Sequence, residues 1–216
     1  MMSFSPAPAR RLARGLLALA GALALSGCIS LFPKTKPVQT YRFGAQESAA
    51  VRTAPLAPGA IVVREALLGF ARAPAGDQIL TSTGEETAFI SGGRWTEPAM
   101  TLFDDAVSRA FDTRAQASHL LARGEVAPAD YSLKLDVRVF EARYEHGQGA
   151  PPTVVVELYA GLNNHKDPTL DRDALFQAKV PTSDNRIGAI TAGFNEAVDK
   201  VLADLVAWVD RRGEAA

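Results

Sequence analysis

The sequence predicts a single α/β domain of the α+β kind, a mixed β-sheet with two long amphipathic helices packed on it, preceded by an N-terminal secretory segment. Three observations predict it. Ala99, Leu102, Phe103, Ala106, Val107, Ala110 and Phe111 recur at three- and four-residue intervals, one apolar stripe of a helix. Ile187, Ile190, Phe194, Val198, Val201, Leu205 and Trp208 trace a second such stripe. Between them, Tyr131 to Val139 and Val154 to Leu162 alternate apolar and polar residues, the period of half-buried strands. A mixed sheet carrying both helices buries every one of these faces.

In chain order, Arg10, Arg11 and Arg14 precede the apolar run Leu16 to Leu25, and small residues follow before Cys28. A basic region, a short apolar region and a small-residue cut describe a secretory signal. The run is shorter than the roughly 20 apolar residues of a membrane span. Because it ends on the only cysteine of the chain, the stretch Leu25, Ser26, Gly27, Cys28 resembles the lipobox of a bacterial lipoprotein signal. That resemblance implies a cut after residue 27, acyl chains on the sulfur and new amino group of Cys28, and a mature protein hanging from a bilayer. One acyl chain holds a protein marginally and two or more hold it firmly, at about 0.8 kcal/mol per buried methylene, so a fully acylated Cys28 would be a permanent tether. Ile29 stands where an aspartate would resemble an inner-membrane retention signal, which favours the outer membrane.

Removing residues 1–27 leaves 189 of 216 residues, enough for one domain with a real core. The removed part holds three of the 23 basic side chains and none of the 24 acids, so the mature chain has a net charge of −4. That balance argues against a nucleic-acid partner, which needs a basic patch. With Cys28 committed to lipid, no internal disulfide can form, and stability must come from packing. No internal repeat is present.

Residues 28–37, with Pro33 and Pro37 among polar side chains, read as an extended linker reaching at most about 33–36 Å. The domain proper is expected over residues 38–212. Val38 to Gly44, with Tyr41 and Phe43 alternating, suggests a first strand, and Ala60 to Ala66 an aliphatic strand covered on both faces. Residues 67–94 are uneven, with strands expected near 78–81 and 87–91. Thr96, Glu97 and Pro98 read as a helix start, with Thr96 the cap and Glu97 an acid in the first turn. A short strand is expected near His119 to Leu121. In the next strand the apolar phase switches at Phe140, which a bulge near Val139 would restore. Gly147, Gly149, Pro151 and Pro152 turn the chain into an antiparallel hairpin, and Ala174 to Val180 supplies a third strand of the meander. Ser183, Asp184 and Asn185 are cap candidates for the last helix, and Arg211, Arg212 and Gly213 suit its C-terminus.

The search for chemistry is mostly negative. No glycine-rich run ends in Gly-Lys-Ser or Gly-Lys-Thr, and no Gly-x-Ser-x-Gly elbow occurs. His119, His146 and His165 lie far apart without metal-ligand spacing. Glu85 with Glu86, and Asp104 with Asp105, are sequence neighbours that point different ways and read as solvated faces. Glu141 beside Phe140 and Arg94 beside Trp95 suggest a buried polar tie or a stacking pair. Leu67, Leu68 and Phe70, near Gly69 and Pro74, form the candidate partner or lipid contact if a loop exposes them, and otherwise are core residues at a strand end. No residue is assigned to catalysis, a metal or a cofactor.

The lipobox to Cys28, the Tyr41, Arg42, Phe43 strand, the Ile61 to Val63 strand and Arg94 to Pro98 opening a helix now stand in order. Val137 to Glu141 and a long closing helix follow them. In that order the chain resembles the ABC-type transport auxiliary lipoprotein family, the lipoprotein partner in Pqi-like and other MCE transport systems. The family commonly has a small residue between the tryptophan and the proline; here Thr96 and Glu97 both stand there. The resemblance implies a non-catalytic accessory facing the periplasm, docked on an MCE-domain protein whose permease and ATPase move phospholipids or other hydrophobic cargo between membranes. An envelope-assembly lipoprotein supporting a β-barrel machine is the alternative, and a lipoprotein enzyme the third reading. The oligomeric state, including a homo-oligomer, is left open.

Overall fold

The computed structural model describes residues 38–44 and 58–212. The signal segment, the lipobox with Cys28 and the linker lie outside the described residues. Eight strands form one mixed sheet: β1 (Gln39–Tyr41), β2 (Ile61–Phe70), β3 (Gln78–Thr83), β4 (Glu86–Trp95), β5 (Ser118–Leu120), β6 (Tyr131–Arg143), β7 (Thr153–Asn164) and β8 (Arg172–Pro181). Helices α1 (Ala99–Arg114) and α2 (Ile187–Asp210) pack on it.

The centre is β6. One of its edges pairs antiparallel with β7 along its full length, and β8 continues antiparallel beyond β7. Its other edge is shared: β2 runs parallel to residues 131–137, and β3 runs parallel to Ala142 and Arg143. Between them the chain leaves the sheet through a 3-10 turn, Ala73–Ala75, so β2 and β3 occupy one edge in succession. β5 flanks β2 in parallel; β4 flanks β3 antiparallel, with β1 parallel at its far side.

Alternation sends Tyr131, Leu133, Leu135 and Val137 of β6 to the helix face, where they are buried. A register shift between Val137 and Val139 then keeps Phe140 and Ala142 on that same face, the bulge the phase change predicts. Phe140 meets the rings of Phe43 (5.2 Å), Phe70 (5.4 Å) and Phe194 (4.7 Å) there. Trp95 sits edge-on to Phe43 at 5.0 Å and to Phe194 at 5.3 Å, so a strand, a loop and both ends of the domain share one aromatic cluster. Every residue of the first predicted helical stripe is buried, and in the second only Ile187 is partly exposed.

Local details differ from expectation. β2 runs four residues beyond Ala66, and β3 and β4 are longer than the segments expected. Thr96 is not a cap: α1 is preceded by Pro98, without a side-chain cap or an acid in the first turn. The reason lies in the backbone. Trp95 and Thr96 donate their amides to Asp77 O and Tyr41 O (2.7 and 2.8 Å), so the chain is still sheet-bound there, and Ala99 N–H is satisfied by Gly76 O at 2.9 Å. At α2 the residue before the helix is Arg186, again without a side-chain cap. Asp184 is spent on the Arg186 amide and guanidinium, and Asn185 on Tyr144 and Gln148. The left-handed residue after α2 is Arg212 (φ 58°), whose guanidinium donates to Gly59 O at 2.9 Å.

Gly44 fixes β1's exit against α1. Its φ of +68° suits glycine, and a Cβ there would stand 2.6 Å from the Ala106 Cβ. Asn195 of α2 accepts its amide and Arg109 of α1 donates to its carbonyl, both at 2.9 Å.

Trp95 is 2% exposed at the junction of β4, β1 and α2. Trp95→Ala is expected to cost about 3–5 kcal/mol of unfolding free energy by the cavity it leaves. Urea unfolding measures this, and a loss below about 1 kcal/mol would contradict the packing described.

Candidate functional site

The three apolar residues singled out by sequence lie on β2, not on a loop, and do not form one patch. A register shift between Glu65 and Leu67 makes Ala66 an extra residue, so Leu67 pairs with Lys134, and Leu68 and Phe70 pair with Leu135 and Val137. Partners in register share a face. Leu67 therefore projects from the open side of the sheet, 61% exposed, whereas Leu68 and Phe70 pack against the core from the helix side. Leu68 and Phe70 are half-buried residues at the end of the strand, packed against the core.

Just before that bulge lies a feature that sequence reasoning missed. Glu65 stands in register with fully buried Leu133, so its carboxylate enters the helix-covered side of the sheet. There a half-enclosed cleft of about 180 Å³ opens between β2, the end of β5 and α1. Asp104 and Ser108, one helical turn apart on α1, line its far wall, and Leu120 to Gly124 its mouth. Gly124 (φ +83°) turns the chain, with Glu125 N–H donating to Ala122 O at 3.0 Å, and presents Arg123 over the cleft. Arg123 pairs with Asp104, whose side chain is 15% exposed while that of Arg123 is 81% exposed. Arg64 points its guanidinium to Glu125 O (3.2 Å) and Ala127 O (2.5 Å), pinning the same turn. Burial raises the Glu65 pKa above the ordinary glutamate range, and the cationic Arg123 only partly counters it. The signal in the sequence was the charged pair Arg64 and Glu65 interrupting an aliphatic strand.

Other polar residues play structural parts. Glu141 accepts from Ser82 Oγ (3.0 Å) and from Arg143 Nε (3.0 Å), a polar tie between β6 and β3. Arg94 pairs with Asp77 at 3.0 Å. Asp104 is not a simply solvated acid as its sequence position suggests, while Asp105, Glu85 and Glu86 are exposed. His165, with its proton on Nδ1 donated to Ala129 O (2.8 Å), accepts from Ser132 Oγ–H at 2.6 Å, an exposed tie at the β6–β7 end. His119 lies on β5 and His146 in the exposed β6–β7 turn. Among the described residues no group of three His, Cys, Asp or Glu side chains is placed to hold a metal, and no helix is long and apolar enough to cross a membrane.

The family model of the ABC-type transport auxiliary lipoprotein component matches residues 41–206. A solved protein of Xanthomonas campestris is 29% identical, with a TM-score of 0.58, covering 71% of this chain and 85% of its own. An uncharacterized protein at 12% identity superposes with a TM-score of 0.60, covering 81% of this chain and 99% of its own. A hypothetical protein of Chlamydia trachomatis at 9% identity reaches 0.51, covering 73% and 99%. The last two show the fold alone. No functionally curated protein matches in sequence.

The raised pKa of Glu65 makes stability depend on pH in a defined direction. Between the ordinary glutamate value of 4.5 and the higher folded value, the folded state holds the extra proton, so stability falls as pH rises through that window. Glu65→Gln is expected to melt above the wild type at pH 7, with the difference shrinking below pH 4.5. Melting curves across pH decide it; a variant that melts lower at pH 7 would show that Arg123 outweighs desolvation.

Proposed function

The chain belongs to the ABC-type transport auxiliary lipoprotein family, and from that membership we propose that it is the periplasm-facing lipoprotein accessory of an MCE-type intermembrane lipid transporter. Family membership makes it an accessory component of a transport system at the cell envelope. The observation that supports the accessory role is the extent of the family match, which begins at residue 41, just beyond the segments read as lipobox and linker, and ends within α2; the MCE-type partner and the lipid cargo are what the purification below tests.

In this reading residues 1–27 are the cleaved lipoprotein signal, Leu25, Ser26 and Gly27 prepare the cut, and Cys28 carries the acyl chains. Residues 28–37 form the leash, which keeps the start of the domain, residue 38, within about 33–36 Å of the outer membrane. The domain does no chemistry on the cargo. It docks on an MCE-domain protein and, through it, works with a permease and an ATPase that supply the energy. Exposed Leu67, on the open side of the sheet, is the side chain assigned to that contact, with Leu68 and Phe70 fixing its strand from behind. No cofactor enters this reading.

Cys28→Ala is expected to move the protein from washed membranes to the soluble fraction with its melting temperature unchanged; retention in the membranes would remove the anchor. Purification of the lipidated chain from its native envelope in mild detergent, with mass spectrometry of what accompanies it, tests the partner. An MCE-domain protein with permease and ATPase is expected. A β-barrel in their place would instead make the protein an assembly lipoprotein.

A further inference from the structure

We propose that the outer edge of β8 pairs with β8 of a second copy of this chain, antiparallel and centred on Phe176, joining two sheets into one. The inference concerns association of the chain with itself and does not rest on the accessory role.

The edges of the sheet are of unequal kind. β1 and β5 are three residues long, and short edges offer little to a partner. β4 runs free beyond Gly93, but it is broken there: Gln78 pairs with Arg94 and Leu80 with Phe89, so residues 90–93 stand against Ile79 alone. β8 is different. All ten of its residues pair with β7 without a register shift, and among the described residues no strand covers its other side. It presents a straight row of unpaired main-chain groups, the template for strand addition.

Which groups point outward follows from one hydrogen bond. One step beyond the Thr153–Pro181 pair, Thr182 donates its amide to Pro152 O at 2.9 Å. Main-chain groups alternate between the two sides of a strand, so the even-numbered residues of β8 bond to β7. Asp173, Leu175, Gln177 and Lys179 therefore turn their amides and carbonyls outward. Pro181 falls in the outward set, where its missing N–H takes no bond from the ladder. In a self-pairing, outward groups must meet outward groups, so the hydrogen-bonded pairs join odd-numbered residues.

Side chains choose among the registers this leaves. Centring on Phe176 sets Asp173 against Lys179 of the copy and, by symmetry, Lys179 against Asp173 of the copy. Opposite charges directly across a ladder stabilise it. Both side chains are exposed, and among the described residues neither has an ion-pair or hydrogen-bond partner. On the helix side Phe176 meets its own copy, with Ala174 against Ala178 on either side leaving room for two rings. One flank of Phe176 already rests on Trp208 at 5.8 Å, and its burial is only partial.

The neighbouring registers are poorer. Centring on Leu175 calls on Asp171 to meet Lys179, but Asp171 already accepts from Asn163 Nδ2 and the Asn164 amide at 2.9 and 2.7 Å. Centring on Gln177 sets Asp173 against Pro181 and Leu175 against Lys179. Charges on an edge ordinarily keep other strands away. Here the two signs stand symmetrically about Phe176, so the charges that reject other registers admit this one. The contact is isologous, with both copies' helices on one side of the joined sheet and both open faces on the other.

The test is sedimentation velocity of the full-length lipidated chain in density-matched detergent at about 100 µM, a concentration suited to an interface of this small size. The wild type is expected to sediment as a dimer that dissociates on dilution. Asp173→Lys alone and Lys179→Asp alone place like charges across the ladder, and each should weaken the dimer at least tenfold. Mixed together, the two variants should recover it, because each supplies the charge that the other has lost. A merely destabilised chain cannot produce that recovery. Should either variant not fold, hydrogen exchange on the wild type decides. The amides of Leu175, Gln177 and Lys179 should exchange at least tenfold more slowly in concentrated than in dilute protein, with those of Phe176 and Ala178 protected in both. A wild-type monomer at the concentration stated, a dimer indifferent to either charge reversal, no recovery on mixing folded variants, or edge amides indifferent to concentration would overturn the proposal. No transporter subunit is present in this assay, so its result is separate from the partner question.

Discussion

The fold depends on one extra residue in its central strand. Without the bulge between Val137 and Val139, period-two alternation would send Phe140 and Ala142 to the open side of the sheet and Glu141 inward. With it, Phe140 enters the place where Phe43, Phe70, Trp95, Phe103 and Phe194 converge from β1's exit, β2, β4, α1 and α2. The extra residue itself is used: the Arg138 guanidinium lies 4.2 Å from the Tyr159 ring centroid on the open side, a stacking contact that fills the place it took. Six rings from separated parts of the chain thus register the sheet against both helices at one point.

A second bulge, at Ala66, does for β2 what the first does for β6. Alternation from Val63 already sets Glu65 inward; the bulge turns Leu67 outward and brings Leu68 and Phe70 onto the helix side, against the core. An uninterrupted strand would keep Glu65 and Leu67 together on the helix side and send Leu68 and Phe70 to the open one.

These two bulges show what the sequence could and could not disclose. The one in β6 was legible because nine residues of clean alternation, Tyr131 to Val139, expose the break in phase at Phe140. The one in β2 was not, because Ile61, Val62 and Val63 are all aliphatic and no alternation exists to be broken. Helical stripes were legible for the same reason as β6: long periodic segments constrain their phase. Caps were not, since the acceptor for the Ala99 amide is Gly76 O, brought there by the sheet, and Asp184 had a nearer claimant in Arg186. The cleft joins residues 64–65, 104–108 and 120–124, whose meeting requires β5 to lie beside β2, a parallel pairing that no local pattern announces.

The open side of the sheet is mostly charged and polar. Along β6, Lys134 and Asp136 stand outward, and Glu157 and Gln177 on β7 and β8 are joined by a 3.0 Å hydrogen bond. Among them Leu67, Phe89 and Leu175 are exposed singly, on strands β2, β4 and β8. Isolated apolar side chains on a charged sheet face do not drive association as a contiguous patch does. A protein that docks through Leu67 must therefore satisfy charged neighbours as well, which makes that contact selective and weak by area. The cleft beside β2 differs in kind: it is small and half-enclosed, and its carboxylates, Glu65 and Asp104, are met by the Arg123 guanidinium and by water.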